Sequence, residues 1–171
     1  QEAIHLNRLL GLYPPGAEGG ERWELEADPR HVEILVSQMG LNNESKAVST
    51  PGVRMTDEED GKELDAESRA CYRSWTMRAS YLSQDRCELQ FAVKELARRM
   101  QQPNTKNMQA RKRLVRFLKG SPRCLVVYNR QAEQPIVDVF SDRAGCAKTR
   151  LSTSSSYVML GGHLLVASAT T

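Results

Sequence analysis

Apolar positions along this chain change their period twice. Residues 4–13 and 22–27 carry short apolar runs, Trp23, Leu25 and Ala27 alternating with charges, around the turn-rich segment PPGAEGG. This pattern predicts a β-hairpin, with a helix as the alternative for the first arm. Asp28-Pro29 then offers an N-cap followed by proline at the first helical position, and Val32, Leu35, Val36 and Met39 recur at helical spacing until Gly40. A helix is predicted there. The following NNESKAVSTPGVRMTDEEDG has no apolar period and reads as an exposed linker. Beyond it, Cys71, Trp75, Ala79 and Leu82 mark one helix, and Leu89, Ala92, Val93, Leu96 and Met100 a second, closed by Pro103. A third is predicted over residues 107–119, with Met108, Leu114, Val115 and Leu118 inward and Gly120 and Pro122 as stop signals. The core expected from these helices is Trp75, Leu82, Phe91, Leu96, Val115 and Leu118.

After residue 123 the period falls from 3.6 to 2. Residues 124–128, 136–141, 157–160 and 163–167 are short β-rich runs, the last two joined through Gly161-Gly162. Helices followed by strands, without βαβ alternation, predict an α+β fold. The expected organisation is 1–56, 57–123 and 124–171.

Charge adds a feature that the apolar pattern hides. The 171 residues carry a net charge of only +3. Residues 56–67 hold seven acids and one lysine, whereas residues 94–123 hold ten Lys or Arg against the single Glu95. Lys112, Arg116 and Lys119, spaced four and three apart, line one face of the third helix, with Arg113 beside them. Such a stripe suits a phosphate backbone, RNA or DNA, and equally suits a solvated surface. Aromatic side chains for base stacking are sparse here, so backbone contact is favoured over base reading.

Four cysteines, Cys71, Cys87, Cys124 and Cys146, form no C-x-x-C pair, which argues for unpaired thiols in a reducing compartment and against zinc. No apolar run approaches the roughly 20 residues of a membrane span. The chain begins Gln-Glu-Ala, with neither Met nor a basic-then-apolar leader, as expected of an excised piece. In the strand IVDVFSD, Ile136, Asp138, Phe140 and Asp142 share a face. A carboxylate at the end of such a strand binds Mg²⁺ only with two or three further acids, and otherwise simply opens a turn.

Several segments in order resemble the copia-type retrotransposon Pol polyprotein, at the passage from reverse transcriptase to ribonuclease H. ADPRHVEILVSQMGL and SKAVSTPG look like the closing part of the polymerase palm. YRSWTMRASYLSQDRCELQFAVKELARRMQQP is similar to the family's YR, YL and FAV pattern, and ARKRL with RFLKG to its K-R-x-x-R-Y-L-K-G segment. Ser141-Asp142 and Ala144-Gly145 match S-D-x-D-W-A-G, with Arg143 in place of x-D-W. RLSTS resembles R-x-S-T-S, with Ser155 in place of glycine. The resemblance implies a palm end and linker, a helical thumb or connection region and the first strands of a ribonuclease H-like fold. It implies a parent that performs RNA-directed DNA synthesis and hydrolyses RNA–DNA hybrids with Mg²⁺, inside cells, in the cytoplasm, the nucleus or a virus-like particle. Asp142 inherits a metal-ligand and catalytic role by position, in vestigial form. The motif Y-x-D-D is absent and is expected upstream of Gln1, and the later acids past Thr171. The chain by itself is therefore expected to be inactive and to bind no metal, with nucleic acid and the remainder of the polyprotein as partners. The alternative is a non-enzymatic nucleic-acid-binding module.

Overall fold

A computed structural model describes residues 1–40, 45–52, 61–131, 134–144 and 152–170. It is mixed helix and antiparallel sheet, the α+β class expected. Two compact units divide it: Gln1–Asp28 with Arg123–Thr171, and Pro29–Pro122. These boundaries differ from the 1–56, 57–123 and 124–171 division because a strand after the helices pairs with one before them.

The first unit contains a four-stranded antiparallel sheet in the order β1 (Glu2–His5), β2 (Arg8–Tyr13), β3 (Arg22–Glu26) and β4 (Leu125–Asn129). The expected hairpin is β2–β3, so the first arm is strand and not helix, and a second hairpin precedes it. Its loop, Leu6-Asn7, has both residues at positive φ, 49° and 63°, the handedness that matches strand twist. Arg123 clasps Glu26 through Nε and Nη2 at 2.5 and 2.7 Å, beside the β3–β4 register. This hydrogen bond holds the Glu26 carboxyl below its ordinary range. The clasp therefore stabilises the sheet above the usual carboxylate pKa and is lost as pH falls through the lowered one.

The same unit contains a three-stranded antiparallel meander, β5 (Val137–Ala144), β6 (Thr153–Leu160) and β7 (His163–Thr170). Gly161 turns between the last two at φ 57°. All eight residues of β5 are exposed, Val139 at 68% and Phe140 at 58%. By the register, Val139, Val158 and Val166 lie on one face and Phe140 and Tyr157 on the other, so both faces are partly apolar.

The second unit is helical: α1 (Pro29–Ser37), α2 (Ala66–Leu82), a 3₁₀ turn (Cys87–Leu89), α3 (Gln90–Ala97) and α4 (Thr105–Gly120). Asp65 caps α2 by accepting from the Ser68 amide at 2.7 Å, and Asn104 and Asn107 form a reciprocal capping box on α4. The core comprises Val32, Leu35, Tyr72, Trp75, Ala79, Leu82, Leu89, Ala92, Val93, Leu96, Leu114, Val115 and Leu118. Two expected inward positions are corrected. Phe91 is 47% exposed, because the inward stripe of this segment is Leu89, Ala92, Val93 and Leu96, and position 91 lies about 200° round from Leu89. Cys71 is exposed and its neighbour Tyr72 is buried, since the inward stripe of α2 runs 72, 75, 76, 79, 82. Among the described residues Cys71, Cys87 and Cys124 form no disulfide; Cys146 lies outside them.

Burial of Tyr72, whose Oη donates to the Leu96 carbonyl at 2.8 Å, pushes its phenol well above the ordinary tyrosine range. The neutral form is thus favoured in the folded state. Its contribution is complete below the unfolded pKa of about 10 and declines by ~1.4 kcal/mol per pH unit above it. Urea unfolding between pH 8 and 11 should show this decline, and Tyr72→Phe should flatten it. Equal pH dependence in the two proteins would show that Tyr72 ionises freely.

Candidate nucleic-acid interface

Helix α4 separates its residues by chemistry. Asn107, Arg111, Leu114, Val115 and Leu118 are buried, while Lys112 is exposed and Arg113, Arg116 and Lys119 are half-buried on the opposite flank. The four cations expected to meet nucleic acid are therefore brought together along one side of one helix. Lys119 in the last turn also complements the negative end of the helix dipole.

The flank has a cover that the residue pattern did not predict. Residues 45–50, expected to be linker, run antiparallel to α4. Thr50 Oγ1 accepts from Arg113 Nη2 at 2.6 Å, the Lys46 carbonyl from Arg116 Nε at 2.5 Å, and the Ser45 carbonyl from Lys119 Nζ at 3.2 Å. A side chain added at Gly120 would meet the Ala47 Cβ at 2.7 Å, so the absence of a Cβ permits this approach. Lys112 lies outside these contacts and is exposed. Nothing in SKAVSTPG announces such docking, because it uses two backbone carbonyls, which every residue has, and one threonine hydroxyl.

Arg111 is the second residue missed, although a signal for it existed. It stands at i with Leu114, Val115 and Leu118 at i+3, i+4 and i+7, on the apolar stripe. It is 2% exposed, with its guanidinium 5.1 Å from the Trp75 ring centroid, Nε 3.0 Å from Met39 Sδ and Nη1 3.8 Å from Cys71 Sγ. Its charge is held by aromatic and sulfur atoms inside the helical unit and is not presented to a ligand.

The carboxylate expected to hold a metal stands elsewhere. Asp142 lies in β5, opposite Ser155, and its Oδ1 accepts from the Arg143 amide at 2.7 Å. Asp138 shares its face but is four strand residues away, roughly 13 Å, too far for a shared ion. Among the described residues no group of three His, Cys, Asp or Glu side chains could hold a metal ion. Asp142 thus does not fit a two-ion site with the carboxylates around it. Strand alternation also sends the Arg143 side chain to the other face, where its Nε donates to Ser152 Oγ at 2.6 Å. Arg143 consequently competes with a cation at Asp142 less than sequence adjacency suggests. Around these positions lies a shallow groove of about 440 Å³ lined by Ser141, Ser154, Ser156, Ser168 and Thr170. Gly145 and the Arg150-Leu151 start of the serine segment lie outside the described residues, as do residues 56–60, with four of the seven acids of the acidic run.

No helix among the described residues is long and apolar enough to cross a membrane. Comparison with protein-family models, with curated proteins and with solved structures finds no match.

Proposed function

We propose that this chain is a nucleic-acid-contacting part of a copia-type Pol polyprotein, and that it grips the phosphate backbone through the cationic flank of α4. The observation that carries this is the gathering of Lys112, Arg113, Arg116 and Lys119 along one side of α4, whereas Arg73 and Arg143, which also bond neutral oxygens, lie singly on other elements. Arg22, Arg86, Arg98, Arg123 and Arg130 all pair with glutamates. Lys112, Arg113 and Arg116 pair with no carboxylate among the described residues, and the two arginines hold only a hydroxyl and a carbonyl. Among the described residues neutral acceptors leave those charges uncompensated, and phosphate oxygens accept more strongly than either. The parent would carry out RNA-directed DNA synthesis and Mg²⁺-dependent hydrolysis of RNA–DNA hybrids within cells, with the remainder of the polyprotein as partner. The meander β5–β7, as the opening of a ribonuclease H-like sheet, fits this reading through its two partly apolar, exposed faces, since a sheet in a completed domain has at least one face packed.

The same cations favour a second reading, a non-enzymatic module that only binds RNA, DNA or their hybrid. An upstream Y-x-D-D in the same reading frame would distinguish the two. On either reading this chain is proposed to cleave nothing by itself, because Asp142 has no carboxylate partners near it among the described residues. Labelled RNA–DNA hybrids of several sequences, incubated with the protein and Mg²⁺, should be bound with similar affinity and left intact, with Asp142→Asn indistinguishable from wild type. Mg²⁺-dependent cleavage that disappears in Asp142→Asn would contradict this.

A further inference from the structure

The segment over α4 carries a half-used binding fork. In the first unit, Arg123 shows what the Nε/Nη2 edge of a guanidinium does when complete: both N–H groups engage the two oxygens of Glu26. Arg113 presents the same edge to Thr50, but Nη2 meets the single hydroxyl oxygen at 2.6 Å, while Nε is buried with no hydrogen-bond partner. A buried, unsatisfied N–H on a cation is costly, and a planar or tetrahedral oxyanion is the group whose oxygen spacing fills both positions. Thr50 Oγ1 stands 2.6 Å from Nη2, so a phosphate esterified to it would bring its oxygens to this fork.

We propose that Thr50 is a phosphorylation site whose phosphate is held by the Nε/Nη2 fork of Arg113. Thr50 is exposed and lies in an irregular segment, as a kinase requires. Pro51 follows it, confining Thr50 to extended backbone and directing the choice toward the proline-directed class of serine/threonine kinases. In the reaction the threonine oxygen bonds to the γ-phosphorus of ATP as the bond from that phosphorus to its bridging oxygen breaks. ADP departs, and the hydroxyl proton passes to the kinase's general base. The product carries about −1.5 to −2 charge beside Arg113 and fastens residues 45–50 onto α4. It also neutralises part of the flank that the proposed function assigns to nucleic acid, so modification should weaken that binding.

The test treats the folded chain with a proline-directed kinase and ATP, locates phosphate by mass spectrometry, and titrates the phosphothreonine by ³¹P NMR. Phosphate is expected on Thr50, absent there in Thr50→Val. Its midpoint should lie about one pH unit lower in wild type than in Arg113→Gln, because a paired cation favours the dianion. Arg113→Lys, which keeps the charge and loses the fork, should fall between them and guards against a folding defect in the glutamine variant. No phosphate on Thr50, or one midpoint in all three proteins, would overturn the proposal. These readouts do not involve nucleic acid. If the shift is found and neither form binds hybrid, the phosphate site stands and the nucleic-acid reading fails.

Discussion

Trp75→Ala should destabilise the helical unit by about 3–5 kcal/mol, the range for removing a fully buried aromatic side chain. Trp75 is 1% exposed, its Nε1 donates to the Leu35 carbonyl at 3.2 Å, and its ring meets the buried Arg111 guanidinium. Truncation would thus open a void, strand an acceptor on α1 and deprive a buried cation of its aromatic face. Chemical denaturation followed by far-UV circular dichroism would measure the loss. Phe91→Ala is the matched control: the ring is half exposed, and the change should stay within about 0.5 kcal/mol. Similar losses for the two substitutions would mean that the helix faces are wrongly assigned.

Arg86→Ala should cost about 2–4 kcal/mol, from charge-assisted hydrogen bonds and the volume left behind. Arg86 is 1% exposed; Nε donates to Glu88 at 2.8 Å and Nη1 to the Ser121 carbonyl at 2.8 Å. It therefore ties the turn between α2 and α3 to the chain just past the end of α4. Arg86→Lys should recover only part of the loss, because an ammonium cannot reproduce the divergent guanidinium contacts. Denaturation midpoints of the three proteins check this, and full recovery by lysine would reduce Arg86 to a point charge.

What was legible in the sequence was local. Asp28-Pro29, Pro103 and Gly120 bracket helices because each acts on its own backbone, and Gly161-Gly162 joins two strands for the same reason. Long-range pairing was not legible. Leu25 faces Val126 across the sheet, and nothing in either residue type selects the other over a hundred intervening positions. Within the candidate interface, Lys112, Arg113, Arg116 and Lys119 were found because helical spacing is itself a pattern. Ser45, Lys46 and Thr50 were missed because they meet these cations mainly through carbonyl oxygens and a hydroxyl, without apolar period or opposite charge. Phe91 faces outward because helical phase, and not residue type, decides which side chains of α3 are buried.

The central claim is that the flank of α4 meets phosphates, and its most direct measurement is the salt dependence of binding. Fluorescence-anisotropy titrations of labelled duplex DNA at several salt concentrations give the slope of log K against log salt for wild type and for the Lys112→Ala, Arg116→Ala, Lys119→Ala triple variant. Each phosphate contact contributes about 0.9 to that slope, so losing three should flatten it by about 2.7, equally for unrelated sequences. Lys112→Ala alone, at the position outside the contacts with residues 45–50, should account for about 0.9. Equal slopes for wild type and the triple variant would contradict the claim and return α4 to a solvated surface helix.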